Sequence, residues 1–193
     1  MREIEILFEV QNSKKEILSV LKQFEFKGEK ETLDIYYSHP DIAKISPFEG
    51  KYPQEGLRLR KKGEDFFITY KKGHFKGDEW IYSDEYETKV ENHEIMKIIL
   101  GKLGFEEMIV IDIKKHIYEF QQYELVFEDV KELGLLLEIE RISEDDKQNA
   151  DDVKDKIRVF ANSLGLKLKE LNMGKPEMLL EKKLRTLNET KNL

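Results

Sequence analysis

Arg2-Glu3-Ile4-Glu5-Ile6-Leu7-Phe8-Glu9-Val10 alternates from its first residue. Side chains on a strand point to opposite faces in turn, so Ile4, Ile6, Phe8 and Val10 share one face and Glu3, Glu5, Leu7 and Glu9 the other. The same period returns at Glu85-Tyr86-Glu87 and Glu138-Ile139-Glu140, each within a stretch that reads as a strand. Each pair sets two carboxylates side by side. Leu57-Arg58-Leu59-Arg60 does the same with two cations, and Thr69-Tyr70-Lys71 adds a hydroxyl and an ammonium. Like charges on one face repel, and a merely solvated sheet mixes its charges. The pattern fits strands that curve round a cavity, where carboxylates hold a divalent cation and basic groups hold a polyanion.

Working outward, Ser13-Lys14-Lys15-Glu16 is a capping-box match, followed by Ile17, Val20, Leu21 and Phe24 at helical spacing. Strand signals resume at 33–38. His39 to Glu55, with Pro40, Pro47, Gly50 and Pro53, reads as a long loop. Strands are predicted at 57–62 and 65–72, joined through Lys62-Gly63-Glu64-Asp65. A connection from Lys72 through Asp78 leads to a strand at 80–91. Asn92 caps a helix carrying Ile95, Ile98, Ile99 and Leu103, which ends at Gly104. Strands at 106–118, 122–130 and 134–142 form a meander. After the polar stretch Ser143 to Asp152, a helix shows Val153, Ile157, Phe160, Ala161 and Leu164 on one face. A short helix is expected over Lys175 to Leu184. These elements predict an α+β fold: an antiparallel barrel of about eight strands with helices packed outside. One domain over 1–185 is expected, with residues 186–193 as a frayed tail.

Composition narrows the function classes. The 193 residues include no cysteine, which excludes disulfides, thiolate metal sites and cysteine nucleophiles. A net charge of -7 argues against duplex nucleic acid as a partner, though not against a small anion in a locally basic pocket. No apolar signal segment opens the sequence, and no run approaches the roughly 18 apolar residues of a membrane span. A cytoplasmic protein with no membrane partner is expected. A homodimer through exposed strand or helix faces is left open.

The inward set of such a barrel would be Glu3, Glu5, Glu9, Arg58, Arg60, Thr69, Lys71, Glu85, Glu87, Lys115, Glu138 and Glu140. Isolated buried charges cost several kcal/mol each, so this lumen must admit water and ligand. Hard cations such as Mg²⁺ and Mn²⁺ prefer carboxylate oxygens, and Mg²⁺ commonly joins one or two carboxylates to substrate phosphates. The Arg fork suits phosphate oxygens, and Lys acts as a mobile point charge. The four histidines, at 39, 74, 93 and 116, have no metal-type spacing, and Phe75 and Trp80 read as packing residues.

In order along the chain, Glu3-Ile4-Glu5, Asp34-Ile35-Tyr36-Tyr37, Leu57-Arg58-Leu59-Arg60, Thr69-Tyr70-Lys71, Asp84-Glu85-Tyr86-Glu87-Thr88 and Glu138-Ile139-Glu140 form a set. With Val126-Phe127-Glu128-Asp129-Val130, this set resembles the CYTH superfamily. These triphosphate tunnel metalloenzymes include class IV adenylate cyclases and thiamine triphosphatases. The resemblance implies an eight-stranded tunnel, a triphosphate-bearing substrate (ATP, thiamine triphosphate or inorganic triphosphate) and Mg²⁺ or Mn²⁺. It implies metal ligands among Glu3, Glu5, Glu85, Glu87, Glu138 and Glu140. Phosphates would fall to Arg58, Arg60, Lys71 and Lys115, with Lys71, Arg58 and Glu85 catalytic. Three positions depart from the family pattern: Leu7, Ser83 and Ile113 stand where relatives carry cations. The expected function is metal-dependent hydrolysis or cyclisation of a triphosphate. The alternative is a catalytically weakened binder of nucleotide or polyphosphate.

Overall fold

The N-terminal strand is broken at Ile4, and the break closes the fold. Arg2–Glu3 (β1) pairs with Glu79–Val90 (β6), while Glu5–Val10 (β2) pairs with Gly134–Arg141 (β9). Glu25–Ser38 (β3), Glu55–Lys62 (β4), Asp65–Lys76 (β5), Glu106–Phe120 (β7), Tyr123–Val130 (β8) and Leu168–Leu171 (β10) complete the sheet. Every pairing is antiparallel, in the order β1-β6-β5-β4-β3-β7-β8-β9-β2-β10. Consecutive β1 and β2 lie towards opposite ends of that order, so the N-terminal segment stitches the curled sheet into a tunnel. This computed structural model describes residues 2–42, 44–45, 54–77, 79–142 and 149–191. Much of the loop expected from His39 to Glu55, Asp78, and the start of the polar stretch after Ile142 lie outside the described residues.

Among the described residues four helices accompany the sheet: Lys14–Leu21 (α1), His93–Lys102 (α2), Ala150–Ser163 (α3) and Lys175–Lys191 (α4). The capping box forms at α1, where Glu16 Oε2 accepts from the Ser13 N–H at 2.8 Å. Asn92 and Asn149 cap α2 and α3 through their side-chain oxygens. On the outer surface, α1 and α3 bury Ile17, Leu21, Val153 and Ile157 against Ile6, Phe8, Leu125, Phe127, Leu137 and Ile139. Burying one such side chain stabilises by about 1.5–3 kcal/mol relative to exposure. Across the sheet, α2 closes with Leu100 and Met96 over Ile35, Leu57 and Leu59.

Several elements differ from the sequence reading. In α2 the buried residue is Leu100; Ile95, Ile98, Ile99 and Leu103 point to solvent. The outward Leu57 and Leu59 demand a lid, and filling it with Leu100 turns the isoleucines away. Strand β3 begins at Glu25 because residues 25–31 pair with β7. Their charges on both faces erase the alternation that would announce a strand. The short β10 was not legible at all; it pairs along Leu7–Val10. The last helix continues to Lys191 rather than ending near Leu184.

Helix α4 also takes an unexpected place. Its Leu179, 1 % exposed, packs with Leu7, Ile109, Ile111, Ile113, Val130 and Leu136. Those six are in phase with Glu5, Lys115, Glu128 and Glu138, so they line the inner face. While α1, α2 and α3 lie outside, α4 fills part of the concave side. Leu7 and Ile113 are therefore the apolar bed for a helix.

Candidate functional site

Period two places Asp34 and Tyr36 of β3, Arg58 and Arg60 of β4, and Thr69 and Lys71 of β5 on the inner face. Glu85 and Glu87 of β6 join them, and β2 and β9 close the circle with Glu5, Glu138 and Glu140. Antiparallel register sets Asp34 beside Arg60, Arg58 beside Thr69, Lys71 beside Glu85, and Glu5 beside Glu140. The lumen therefore has a basic wall and an acidic wall that meet.

Lys71 marks the meeting point. Its Nζ lies 2.8 Å from Glu85 Oε1, and 3.2 Å from both Glu3 Oε2 and Glu5 Oε1. Carboxylates from three strands thus converge on one ammonium. Burial pushes the Glu3 carboxyl up to about 8; Lys71 opposes the rise, while Glu5 and Glu85 add to it. Burial also works against ionised Glu85, but Lys71 and Arg58 overcome it and hold that carboxyl at about 2. Of this pair Glu3 is the easier to protonate, because it has fewer cations near it. Glu140 is raised to about 9, first by burial and then by the carboxylates of Glu3, Glu5, Glu138 and Glu124. Among the described residues no lysine or arginine forms an ion pair with Glu140.

A second cation position lies beneath α4. Lys175 Nζ donates to Glu128 Oε2 at 2.6 Å and to Glu138 Oε2 at 2.7 Å. Lys115 Nζ stands 2.8 Å from Glu128 Oε1, a close ion pair without hydrogen-bond alignment. Glu128 is fully buried. Burial opposes the charge on Glu138, yet Lys175 and Lys115 hold its carboxyl far below the usual range.

The basic wall is braced by one acid. Arg60 grips Asp34 with both arms of its fork, Nε to Oδ1 at 2.6 Å and NH2 to Oδ2 at 2.5 Å. Asp34 is 1 % exposed; burial opposes its charge, and the Arg60 fork more than offsets this. Arg58 is held more loosely: its guanidinium nitrogens are 3.7 Å from Glu85 and 3.8 Å from Asp34 and Glu87. Its Nε is buried with no hydrogen-bond partner among the described residues. Thr69 Oγ1 donates to Glu87 Oε2 at 2.8 Å.

Among the residues named from the sequence, Glu3, Glu5, Lys71 and Glu85 come together directly, and Arg58 reaches Glu85 and Glu87. Glu138 and Lys115 are linked through Lys175 and Glu128, and Glu140 faces the acidic cluster. Glu9 does not enter the site: nearly half exposed, it pairs with Lys169 of edge strand β10. Ser83 is buried and accepts from the Trp80 indole N–H at 2.9 Å. Sequence reasoning missed Lys175 entirely and did not assign Glu128. Glu128 carried a signal, lying two residues from Val126 and opposite Lys115 in the meander. Lys175 carried none, because only the docking of α4 brings it inward.

A hard cation suits this donor set. The inner carboxylates outnumber the cations, Glu3 and Glu140 are pushed up by burial and then by neighbouring carboxylates, and all the donors are oxygens. Among the described residues no three acidic or histidine side chains are already gathered round one metal position. Lys71 and Lys175 hold the acidic side chains apart and supply the positive charge themselves.

Residues 1–171 match the CYTH domain. The chain belongs to the CYTH family. Over 182 residues it is 31% identical to the Methanocaldococcus jannaschii protein MJ0240, provisionally named an adenylate cyclase, covering 93% of this chain and 94% of that one. The solved PH1819 protein of Pyrococcus horikoshii superposes with a TM-score of 0.79 at 26% identity, over 93% of this chain and 99% of that chain. A Hippeastrum protein described as an adenylyl cyclase with a dominant triphosphatase activity shares the fold alone. Its TM-score is 0.64 at 15% identity, over 90% of this chain and 92% of that one. Among the described residues of this CYTH protein, no helix is long and apolar enough to cross a membrane.

Proposed function

We propose that this CYTH protein binds a triphosphate-bearing small molecule together with Mg²⁺ or Mn²⁺ and hydrolyses it. Glu3, Glu5, Glu85, Glu138 and Glu140 would hold the cation, with Glu87 fixed beside them by Thr69. When bound, the cation supplies charge neutralisation and electrophilic activation at the phosphate oxygens. Arg58, Arg60, Lys71, Lys115 and Lys175 bind the phosphates. The observation that carries this reading is Lys71, which belongs to the basic wall yet sits among Glu3, Glu5 and Glu85.

The side-chain chemistry follows from those contacts. Lys71 and Lys175 are free to turn from carboxylate to phosphate once the carboxylates are otherwise neutralised. Arg58 offers an Nε without a hydrogen-bond partner among the described residues and a guanidinium whose hydrogen bond and ion pairs there are 3.5 Å or longer, so it meets a phosphate oxygen with little to give up. Arg60, committed to Asp34, orients the wall and presents its outer edge. Fixed donors of this kind stabilise the negative charge that develops as the phosphoanhydride bond opens. The nucleophile is water in hydrolysis. In the cyclisation suggested by the name of the Methanocaldococcus relative, it is a ribose hydroxyl.

Product release from ATP, thiamine triphosphate and inorganic triphosphate, with Mg²⁺ or Mn²⁺, tests the proposal. The assay resolves phosphate, pyrophosphate and cyclic AMP. We expect metal-dependent turnover that falls at least about a hundredfold in Glu138→Gln, as when one electrostatic group is removed from an active site. Full activity in that variant overturns the assignment. A second reading rests on Leu7, Ser83 and Ile113, which bring no cation to the lumen: a binding module that holds the triphosphate without turnover. Tight calorimetric binding with no product selects it.

A further inference from the structure

Helix α2 leaves an apolar stripe in solvent. Ile95, Ile98, Ile99 and Leu103 are 50%, 56%, 44% and 61% exposed, although they recur at the three- and four-residue spacing of one helix face. Beside them, the outer surface of the sheet exposes Val110, which pairs with Ile35 beneath α2, and Leu33, two residues from Ile35 on the same strand face. Several large apolar side chains left in solvent on one helix face mark a candidate interaction site.

The polar residues of the stripe indicate what covers it. Its N-terminal end carries exposed Glu91 and Glu94, and Glu94 Oε1 rests on His93. Its C-terminal end carries exposed Lys102, and between them lies Gly101, with open space where a Cβ would stand. A helix that is acidic at one end, basic at the other and apolar between complements itself when reversed. We propose that α2 is a two-fold interface between two copies of this chain, packed antiparallel about Ile98. With Ile98 on the axis, Glu94 falls opposite the partner subunit's Lys102, and Ile95 opposite the partner subunit's Gly101, where the missing side chain admits close approach. Such an isologous contact closes on itself and stops at two. The four side chains give only a few hundred Å² per partner, below the ~800 Å² of a standard interface, so Leu33 and Val110 must contribute. The dimer therefore dissociates on dilution. A net charge of -7 disfavours an anionic membrane as occupant.

Sedimentation velocity on the full chain, across a micromolar concentration series, tests this. Wild type shifts from monomer to dimer, and Ile98→Lys is monomeric throughout with an unchanged melting temperature. Glu94→Lys and Lys102→Glu each weaken association at least tenfold, and the double swap restores it. A wild type that stays monomeric overturns the proposal, including one that instead binds lipid vesicles. So does a dimer indifferent to Ile98→Lys, or a charge swap that restores nothing. The swap pair decides the matter if Ile98→Lys folds poorly.

Discussion

Replacing Lys175 with Met removes one ammonium from between two carboxylates and keeps most of its hydrocarbon stem. Its Nζ now lies 2.6 Å from Glu128 and 2.7 Å from Glu138, whose side chains are 0% and 15% exposed. Breaking a buried ion pair by deleting one partner costs about 3–5 kcal/mol, because the surviving charge has lost its solvent and its counterion. Here Glu128 keeps Lys115 at 2.8 Å, so the low end applies, about 3 kcal/mol. At about 2–4 °C per kcal/mol for a domain of this size, the melting temperature should fall by about 6–12 °C. The assay is urea unfolding of wild type, Lys175→Met, Glu138→Gln and the double variant. Neutralising Glu138 should relieve much of the penalty, giving a coupling of about 2 kcal/mol against the 0.3–0.5 kcal/mol scatter of independent sites. A loss below about 1 kcal/mol, typical of a solvated pair, would refute the reasoning, as would additivity. Either result would mean that α4 does not carry Lys175 into the tunnel.

Other expectations follow from the same contacts. Arg60→Ala strands Asp34 at 1 % exposure and should cost about 3–5 kcal/mol, much of it recovered in the double variant with Asp34→Asn; equal losses in both would refute the pairing. Glu140, raised from 4.5 to about 9, stays protonated in the fold at pH values where the unfolded chain has ionised. Its contribution therefore weakens as pH rises from about 4.5 to 9, by at most about 1.4 kcal/mol per pH unit. In chelator, Glu140→Gln should gain on wild type as pH climbs from 5 to 8, and a pH-independent difference in melting temperature would show the carboxyl to be unperturbed. Calorimetry should find triphosphate and Mn²⁺ binding more tightly together than apart by at least tenfold, because each neutralises what holds Lys71 and Lys175. Independent binding would break that linkage. Leu7→Lys should destabilise the fold rather than improve turnover, since position 7 packs with Leu179 and Ile113; higher activity at unchanged stability would contradict this placement.

Sequence alone determined what period two can encode. The alternation in 2–10, 57–60, 85–87 and 138–140 places carboxylates and cations on one face of each strand whatever the neighbours are. Paired like charges then point to a shared lumen and to the ionic ligand proposed for it. The capping box at Ser13, the Asn92 cap and the turns were legible for the same reason, being interactions within four residues. Tertiary structure decided the contacts that join distant segments. Nothing local says that Ile4 breaks one strand into two partners at opposite ends of a sheet, so closure of the tunnel was invisible. The charged half of β3 reads as solvent-exposed chain until β7 pairs with it. Leu7 and Ile113 looked like lost phosphate ligands because their neighbour, Leu179, lies more than sixty residues along the chain from either. The same helix brings Lys175 to Glu128 and Glu138. Propensity and periodicity act over a few residues, whereas the position of an ammonium in a buried site depends on which apolar surface its helix covers.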